Sequence, residues 1–162
     1  MTQFTGKVWL LGDDIDTDII IPTEYLALPG VEDMKKYAFS PLREELAGQI
    51  GQGDIIVAGK NFGCGSSREQ APEIIKQLGV RCVIAKSFAR IFFRNAINNG
   101  LLLIESGGLR DDVAEGDVIT VTMGEKIQAG GKDYPITPLP ENLMDILNAG
   151  GLVKAMQARN GV

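Results

Sequence analysis

Unbroken apolar runs and helically spaced apolar residues alternate through the first two thirds of the chain. Short apolar runs bounded by glycine or polar residues predict buried strands. These strands have the sequences KVWLLG (7–12), GDIIVAG (53–59), RCVIA (81–85) and GLLLIES (100–106). Apolar residues at a spacing of three and four predict two helices between the last three strands. The inward-facing residues are expected to be Ala71, Ile74, Ile75 and Leu78 in the first helix, and Phe88, Ile91, Phe92 and Ala96 in the second.

This order predicts an α/β fold with a parallel βαβαβ core, because strands joined by crossover helices pair in parallel. After Gly107 the pattern changes to short alternating stretches with glycine turns, GDVITVTMGEKIQAGGKDYPI (116–136), which predict a β-rich second half shaped as a meander or small barrel. The final segment (138–161) predicts a helix, a Gly-Gly break and a short terminal helix. With no linker or repeat, we expect residues 1–162 to form a single domain.

Composition narrows the classes of function. The net charge of −5 argues against a nucleic-acid-binding face, which needs clustered basic residues. No apolar run approaches the roughly 18 residues of a membrane helix. The start of the chain, MTQFTGKVWLLGDD, does not resemble a signal peptide, so a cytoplasmic location is expected. The sequence contains no histidine, so a general base or metal ligand must be another residue type or belong to another chain.

The loop DDIDTD (13–18) places aspartates at alternate positions, which suggests calcium binding. An EF-hand loop starting at Asp14 would need glycine at its sixth position and glutamate at its twelfth, where this chain has Ile19 and Tyr25. Two interpretations stay open. The loop is either a solvated acidic turn, or it holds a buried carboxylate that orients a substrate or a positively charged partner.

The stretch GKNFGCGSSREQA (59–71) combines a glycine-rich turn with the start of a predicted helix. It lacks the spacing of a P-loop, and Arg68 stands where a dinucleotide fingerprint needs its third glycine. A glycine turn, a helix N-terminus and an arginine still favour a carboxylate site. Ser66–Glu69 and Ser67–Gln70 both match a capping box, so either serine is also a candidate helix cap. Cys64 is interpreted as a small loop residue.

Three ordered motifs, DIDTDIIIP (14–22), GKNFGCGSSRE (59–69) and VIAKSFARIFFRNAINNGLLLIE (83–105), resemble the swivelling domain of the aconitase superfamily. As a separate chain, this domain is the small subunit of 3-isopropylmalate dehydratase and its relatives. The resemblance implies a β/β/α swivelling domain that closes over a large subunit, in a heterodimer or heterotetramer. It further implies a [4Fe–4S] cluster held by that partner, with no metal ligand in this chain, and an iron–sulfur hydro-lyase acting on a small malate-type substrate.

The family pattern also implies roles for individual residues. Ser66 would act as the alkoxide base that removes a proton α to a carboxylate, and Ser67 would assist in the same loop. Arg68 would bind a substrate carboxylate and stabilise the alkoxide, and Asp18 falls at the family's active-site aspartate. Many relatives have histidine where this chain has Gln70, so any role of that histidine is unsupported here.

The resemblance places substrate choice in the loop TEYLALPG (23–30). Tyr25, Leu26, Ala27 and Leu28 offer an apolar contact, and no Arg or Lys occurs between Lys7 and Lys35 to bind a further carboxylate. This favours isopropylmalate and leucine biosynthesis. A dehydratase for 2,3-dimethylmalate, citramalate or homoaconitate remains open, as does a non-catalytic carboxylate-binding module. The two leucines could equally pack into the core.

Overall fold

The computed structural model describes residues 3–66, 68–136, 139–151 and 156–157. Its strands are β1 (Gln3–Leu10), β2 (Ile55–Ala58), β3 (Cys82–Ala85), β4 (Leu102–Glu105), β5 (Val118–Thr122), β6 (Lys126–Ala129) and β7 (Lys132–Pro135). Its α-helices are α1 (Thr17–Ile20), α2 (Val31–Met34), α3 (Leu46–Gln49), α4 (Gln70–Gln77), α5 (Arg90–Asn98), α6 (Leu109–Asp112) and α7 (Glu141–Ala149). Two 3₁₀ turns cover Thr23–Ala27 and Lys35–Tyr37.

The seven strands form one curled sheet in the order β4-β3-β2-β1-β5-β6-β7. Strand β1 changes partner along its length. Its last three residues, from Val8 to Leu10, pair in parallel with β2, whereas Gln3 to Lys7 pair antiparallel with β5. The βαβαβ core is therefore parallel, as predicted, and β5 to β7 form the predicted meander as a continuation of the same sheet.

Two hydrophobic cores lie on the two faces of the parallel strands. One face, with Ile56 and Val83, packs against the helical layer that includes α4 and α5. The other face, with Ile55 and Ile84, packs against the antiparallel strands through Val121. Because both faces are covered, every residue of β2 and β3 is buried, which explains their unbroken apolar sequences. The antiparallel strands, the parallel strands and the helices thus form three successive layers, which confirms the predicted α/β class.

The buried faces of α4 and α5 and the start of β1 agree only in part with the predictions. Helix α4 buries Ala71, Ile74 and Ile75 as predicted, but the prediction for α5 was wrong at Ile91, which is 60% exposed. The inward face of α5 instead consists of Phe92, Ala96 and Ile97. Strand β1 begins before the predicted start at residue 7, because its polar first half gains its partner only from β5. The second terminal helix falls almost entirely outside the described residues.

Within the described ranges, no helix is long and apolar enough to cross a membrane.

Candidate active site

Two loops run side by side where β1 and β2 end. The amide of Gly59 donates to the Gly12 carbonyl at 3.0 Å, and the amide of Asp14 donates to the Lys60 carbonyl at 2.8 Å. The side chain of Asp13 adds a third link, because it accepts from the Lys60 amide at 2.7 Å. The carboxyl ends of parallel strands are where α/β proteins bind ligands. The acidic loop and the glycine-rich loop therefore meet at the edge where a site is expected.

The glycine-rich turn depends on Gly63 and Gly65, whose φ angles of 84° and 91° lie in the left-handed region that favours glycine. A Cβ at Gly63 would lie only 2.2 Å from the ring of Phe92, so α5 leaves no room for a side chain there. The amide of Gly63 donates to the Ile15 carbonyl at 2.7 Å. The turn is thus held between α5 and the acidic loop.

Ser66 is exposed, and no hydrogen bond to its hydroxyl is found within the described part of the chain. Its carbonyl accepts from the hydroxyl of Thr17 at 2.7 Å. Helix α4 begins only at Gln70, with Glu69 preceding it and no side-chain cap. The capping hypothesis is therefore wrong for Ser66, because the turn delays the start of the helix. Ser67 lies outside the described residues.

Arg68 has three partners in the acidic loop and the segment that follows it. One terminal nitrogen donates to the Ile21 carbonyl at 2.7 Å, and the other donates to the Thr23 hydroxyl at 2.7 Å. That second nitrogen also forms an ion pair with Asp18. The Arg68 side chain is 12% exposed and that of Asp18 is 63% exposed, so a largely enclosed guanidinium meets an accessible carboxylate. The acidic loop therefore holds a carboxylate that pairs with a positive group, but the expectation that this carboxylate is buried was wrong.

A pocket of about 220 Å³ opens beside this turn. Its lining residues are Thr17, Gly63, Gly65, Arg68, Ala89, Arg90, Ile91, Phe92 and Asn95. The charged side chains in this lining, Arg68 and Arg90, are both positive, which suits an anionic ligand. Ser66 follows directly after Gly65 but is not itself part of the lining. The exposed Ile91 places an apolar contact next to the arginines.

The predicted specificity loop folds as a short 3₁₀ turn against the helical layer. Tyr25 stacks on Tyr37, with ring centroids 4.0 Å apart. Leu26 and Leu28 are half-buried and pack on the helix-side core, whereas Ala27 is exposed. None of the four predicted contact residues lines the 220 Å³ pocket. The structure therefore connects this loop to the site through its first residue, Thr23, which accepts a hydrogen bond from Arg68. Substrate contact by the leucines stays a prediction.

The remaining acidic residues have structural partners. Asp16 caps α1 by accepting from the Ile19 amide at 2.9 Å, and Asp14 accepts from the Asn61 side chain at 3.1 Å.

Burial, followed by the charges of Asp16 and Asp14, raises the pKa of the Cys64 thiol. A raised pKa keeps this thiol protonated at neutral pH, so Cys64 is poorly suited to act as a nucleophile.

Comparison with known proteins shows the family of this chain. The pattern of the aconitase C-terminal domain family matches residues 30–107. The 3-isopropylmalate dehydratase small subunit of Lachnospira eligens is 76% identical over 160 residues, which cover 99% of this chain and 98% of that protein. The chain belongs to the 3-isopropylmalate dehydratase small-subunit family. A further member, small subunit 1 of Archaeoglobus fulgidus, is 49% identical over 152 residues, which cover 92% of this chain and 94% of that protein.

A solved structure of the same family confirms the fold. The crystal structure of 3-isopropylmalate dehydratase from Methanocaldococcus jannaschii has a TM-score of 0.92 and 40% sequence identity. The match covers 98% of this chain and 96% of that chain. The curled sheet with its helical layer is therefore the architecture of this family.

The aconitase family implies an iron–sulfur cluster, and the residues of this chain can be tested against it. Cys64 lies in the glycine-rich turn. Cys82 is buried in the other core, between the parallel strands and the antiparallel strands. Across the described ranges, no three His, Cys, Asp or Glu side chains lie close enough to hold a metal ion. These residues do not fit a cluster, which needs several thiolate ligands together.

Several residues at the site were not foreseen from the sequence, and they include Arg90 and Asn95 in the pocket lining. Thr17 and Thr23 contact Ser66 and Arg68 respectively, and both lie in or directly after the motif DIDTDIIIP. The only available signal was sequence context, because Thr17 lies between two aspartates and Thr23 directly follows Pro22. Ile91 was assigned to the core because its spacing fits the buried face of α5.

Proposed function

We propose that this chain is the small, swivelling subunit of a 3-isopropylmalate dehydratase, with residues 1–162 forming one domain. The enzyme would interconvert 2-isopropylmalate and 3-isopropylmalate by dehydration and rehydration in cytoplasmic leucine biosynthesis. The observation that carries the proposal is the enclosed Arg68 beside a pocket lined by positive charge, two residues after the exposed Ser66. Full-length identity of 76% to a protein named as this subunit supports it.

Ser66 is the proposed base. A serine hydroxyl is a poor base at neutral pH, so its anion requires a preorganised positive environment. Arg68 and Arg90 supply positive charge around the adjacent pocket. The hydroxyl of Ser66 is not engaged with any described group, so it is available to take a proton from a carbon next to a carboxylate. Ser67 is proposed to assist from the next position in the loop.

Arg68 is the proposed carboxylate ligand. A guanidinium carries five N–H donors, and Arg68 directs three of them to Ile21, Thr23 and Asp18. Among the described residues no partner is found for the other two donors, which leaves them for a substrate carboxylate. The proposed role of Asp18 is to hold the guanidinium plane in place, because the ion pair and the Thr23 hydrogen bond share one nitrogen. An arginine held in this way can bind a carboxylate without first losing rotational freedom.

The reaction needs a partner. We propose that a large subunit carries the [4Fe–4S] cluster, in a heterodimer or heterotetramer, and that this chain closes over it. Such a cluster would supply Lewis-acid chemistry to the reaction when bound. The contribution of this chain is to hold a base and a carboxylate ligand, and to exclude water on closure.

The apolar stretch Tyr25–Leu28 favours a substrate with an alkyl group. With no basic residue between Lys7 and Lys35, a third carboxylate would meet no partner in this loop. The test is to co-express the chain with its large subunit and to measure kcat/KM for isopropylmalate, 2,3-dimethylmalate, citramalate and homoaconitate. We expect isopropylmalate to have the highest value. A preference for another substrate would overturn the proposed substrate and keep the reaction class.

Ser66→Ala tests the chemistry in the same pair. Loss of the base should lower kcat by about 10²–10⁴-fold, while assembly with the large subunit stays intact. Ser40→Ala is a matched control, because Ser40 lies in the helical layer outside the pocket lining. An unchanged kcat in Ser66→Ala would favour the non-catalytic carboxylate-binding module.

A further inference from the structure

Thr17 is a buried polar residue at the first position of α1, with 2% of its surface exposed. Both of its polar donors point into the glycine-rich turn. Its amide donates to the Cys64 carbonyl at 2.9 Å, and its hydroxyl donates to the Ser66 carbonyl at 2.7 Å. No other hydrogen bond from a side chain to the backbone of residues 63–66 is found among the described residues.

We infer that Thr17 is a positioning residue, whose hydroxyl fixes the backbone of Ser66 and so the direction of the proposed base. The inference rests on the proposed function, because it concerns the reaction assigned to Ser66. Thr17 is not proposed to touch a reacting atom. It acts through the backbone carbonyl of Ser66, the proposed base.

The turn has a specific need for such an anchor. Gly63 and Gly65 adopt left-handed conformations, and glycine restricts its own backbone less than any other residue. Helix α4 begins only at Gln70, so Ser66 gains no order from helical hydrogen bonds. Two backbone contacts hold residues 63 and 64 to the acidic loop. Within the described ranges, the one hydrogen bond found between Ser66 and that loop comes from the Thr17 side chain.

Thr17 is itself held in a fixed conformation. Asp16 caps α1, so the helix that carries Thr17 has a defined start. A β-branched side chain has few rotamers, which lowers the entropy lost in making one particular hydrogen bond. The next residue, Asp18, forms the ion pair with Arg68. Adjacent residues of one short helix thus hold Ser66 and Arg68 and set their relative placement.

The experiment compares Thr17→Val, which replaces the hydroxyl by a methyl group of similar size, with Thr17→Ser, which keeps the hydroxyl. Each is co-expressed with the large subunit and assayed with isopropylmalate. Because small displacements of reacting groups cost up to about 10²-fold in rate, we expect Thr17→Val to lower kcat by about 10–100-fold with KM within about threefold. Thr17→Ser should remain within about threefold of the parent enzyme in kcat.

Thr122→Val is the matched control, because Thr122 is also buried and accepts a side-chain hydrogen bond, from Gln3, but lies on β5. Its kcat should not change. Hydrogen exchange of the small subunit alone adds a readout that needs no substrate. The amides of Gly63 and Thr17, which are hydrogen-bonded between the turn and the acidic loop, should exchange faster in Thr17→Val and at the parent rate in Thr122→Val.

The inference is overturned if Thr17→Val keeps kcat within about twofold, if Thr17→Ser is as slow as Thr17→Val, or if exchange in the turn is unchanged. Should Thr17→Val fail to assemble, Thr17→Ser decides, because a tenfold loss with the hydroxyl present would contradict the proposed role. If the parent pair is inactive on every substrate while exchange in the turn responds to Thr17→Val, the proposed function fails and the anchoring of the turn stands.

Discussion

The parallel and antiparallel halves of the sheet use glycine and charge in different ways. In the parallel half, the loops after β1 and β2 crowd against each other and against α5, and the candidate site lies between them. In the antiparallel half, tight hairpins join short strands, and a Cβ added at Gly130 or Gly131 would meet nothing within 4 Å. Gly63 at the site is therefore constrained by packing as well as by backbone conformation, whereas Gly130 and Gly131 in the hairpin are constrained by conformation alone.

The largest expected effect comes from Gly63→Ala compared with Gly130→Ala. Both glycines have positive φ angles, 84° and 57°, so both substitutions incur left-handed strain. At Gly63 the added Cβ also collides with Phe92. We expect Gly63→Ala to lower the free energy of unfolding by about 2–5 kcal/mol and Gly130→Ala by about 1–2 kcal/mol. Urea denaturation of each variant measures the difference.

The same two variants should also differ in enzyme activity. Gly63→Ala should abolish turnover, because the proposed base, Ser66, lies three residues further along the turn, while Gly130→Ala should keep it. Equal destabilisation by the two substitutions would mean that α5 yields to the added methyl group, and that packing does not distinguish the two halves.

The order of strands and helices followed from the sequence because β2, β3 and β4 are covered on both faces and read as unbroken apolar runs. The polar first half of β1 could not be assigned in this way, since its pairing depends on β5, more than a hundred residues away in sequence. Ile91 was misassigned for a related reason. Helical spacing identifies apolar positions, but it cannot tell the core from an apolar wall of a pocket.

The site was predictable to the extent that its motifs are local. Ser66 and Arg68 were selected from one continuous stretch, and Asp18 from another, by their resemblance to the aconitase superfamily. The contacts between these stretches join residues about fifty positions apart, and no periodicity reports on them. Thr17 and Thr23 were missed because a threonine becomes informative only when its partner is known.

The two halves also differ in how far their ion pairs are enclosed. Arg68→Lys tests the enclosed pair in the parallel half. A lysine ammonium cannot match the planar guanidinium that contacts Ile21, Thr23 and Asp18 together. Hydrogen bonds to charged groups contribute about 1.5–3 kcal/mol, so we expect a loss of this order in the free energy of unfolding. We also expect kcat/KM to fall by at least about tenfold, because the proposed carboxylate ligand loses its fixed geometry. Denaturation and steady-state assays measure both.

The matched substitution in the antiparallel half is Lys126→Gln, which removes the pair with Asp133 across β6 and β7. Both side chains of that pair are more than a third exposed, so its contribution is screened by water and salt. We expect a change within about 0.5 kcal/mol and full activity. A loss as large as that of Arg68→Lys would contradict the view that enclosure at the site gives its ion pair a greater effect.

A smaller effect than that of Arg68→Lys is expected where the halves join. Arg43, between α2 and α3, forms a two-pronged pair with Glu115, which precedes β5 and also accepts from the Leu10 amide on β1. Hydrogen bonding from Arg43 lowers the pKa of Glu115. A lowered pKa means that the pair stabilises the fold above the ordinary glutamate pKa of about 4.3 and loses that effect as the pH falls below it.

Glu115→Gln should therefore lower the melting temperature at pH 7 and have no effect under acid conditions. Because Glu115 is 38% exposed, we expect at most about 1 kcal/mol at pH 7, or about 2–4 °C for a chain of this size. The difference should shrink as the pH drops below about 4 and vanish in an Arg43→Gln background, where Glu115 has lost its cation. A difference that persisted at low pH or in that background would mean that Glu115 joins the halves through the Leu10 hydrogen bond, and that charge at the junction contributes nothing measurable.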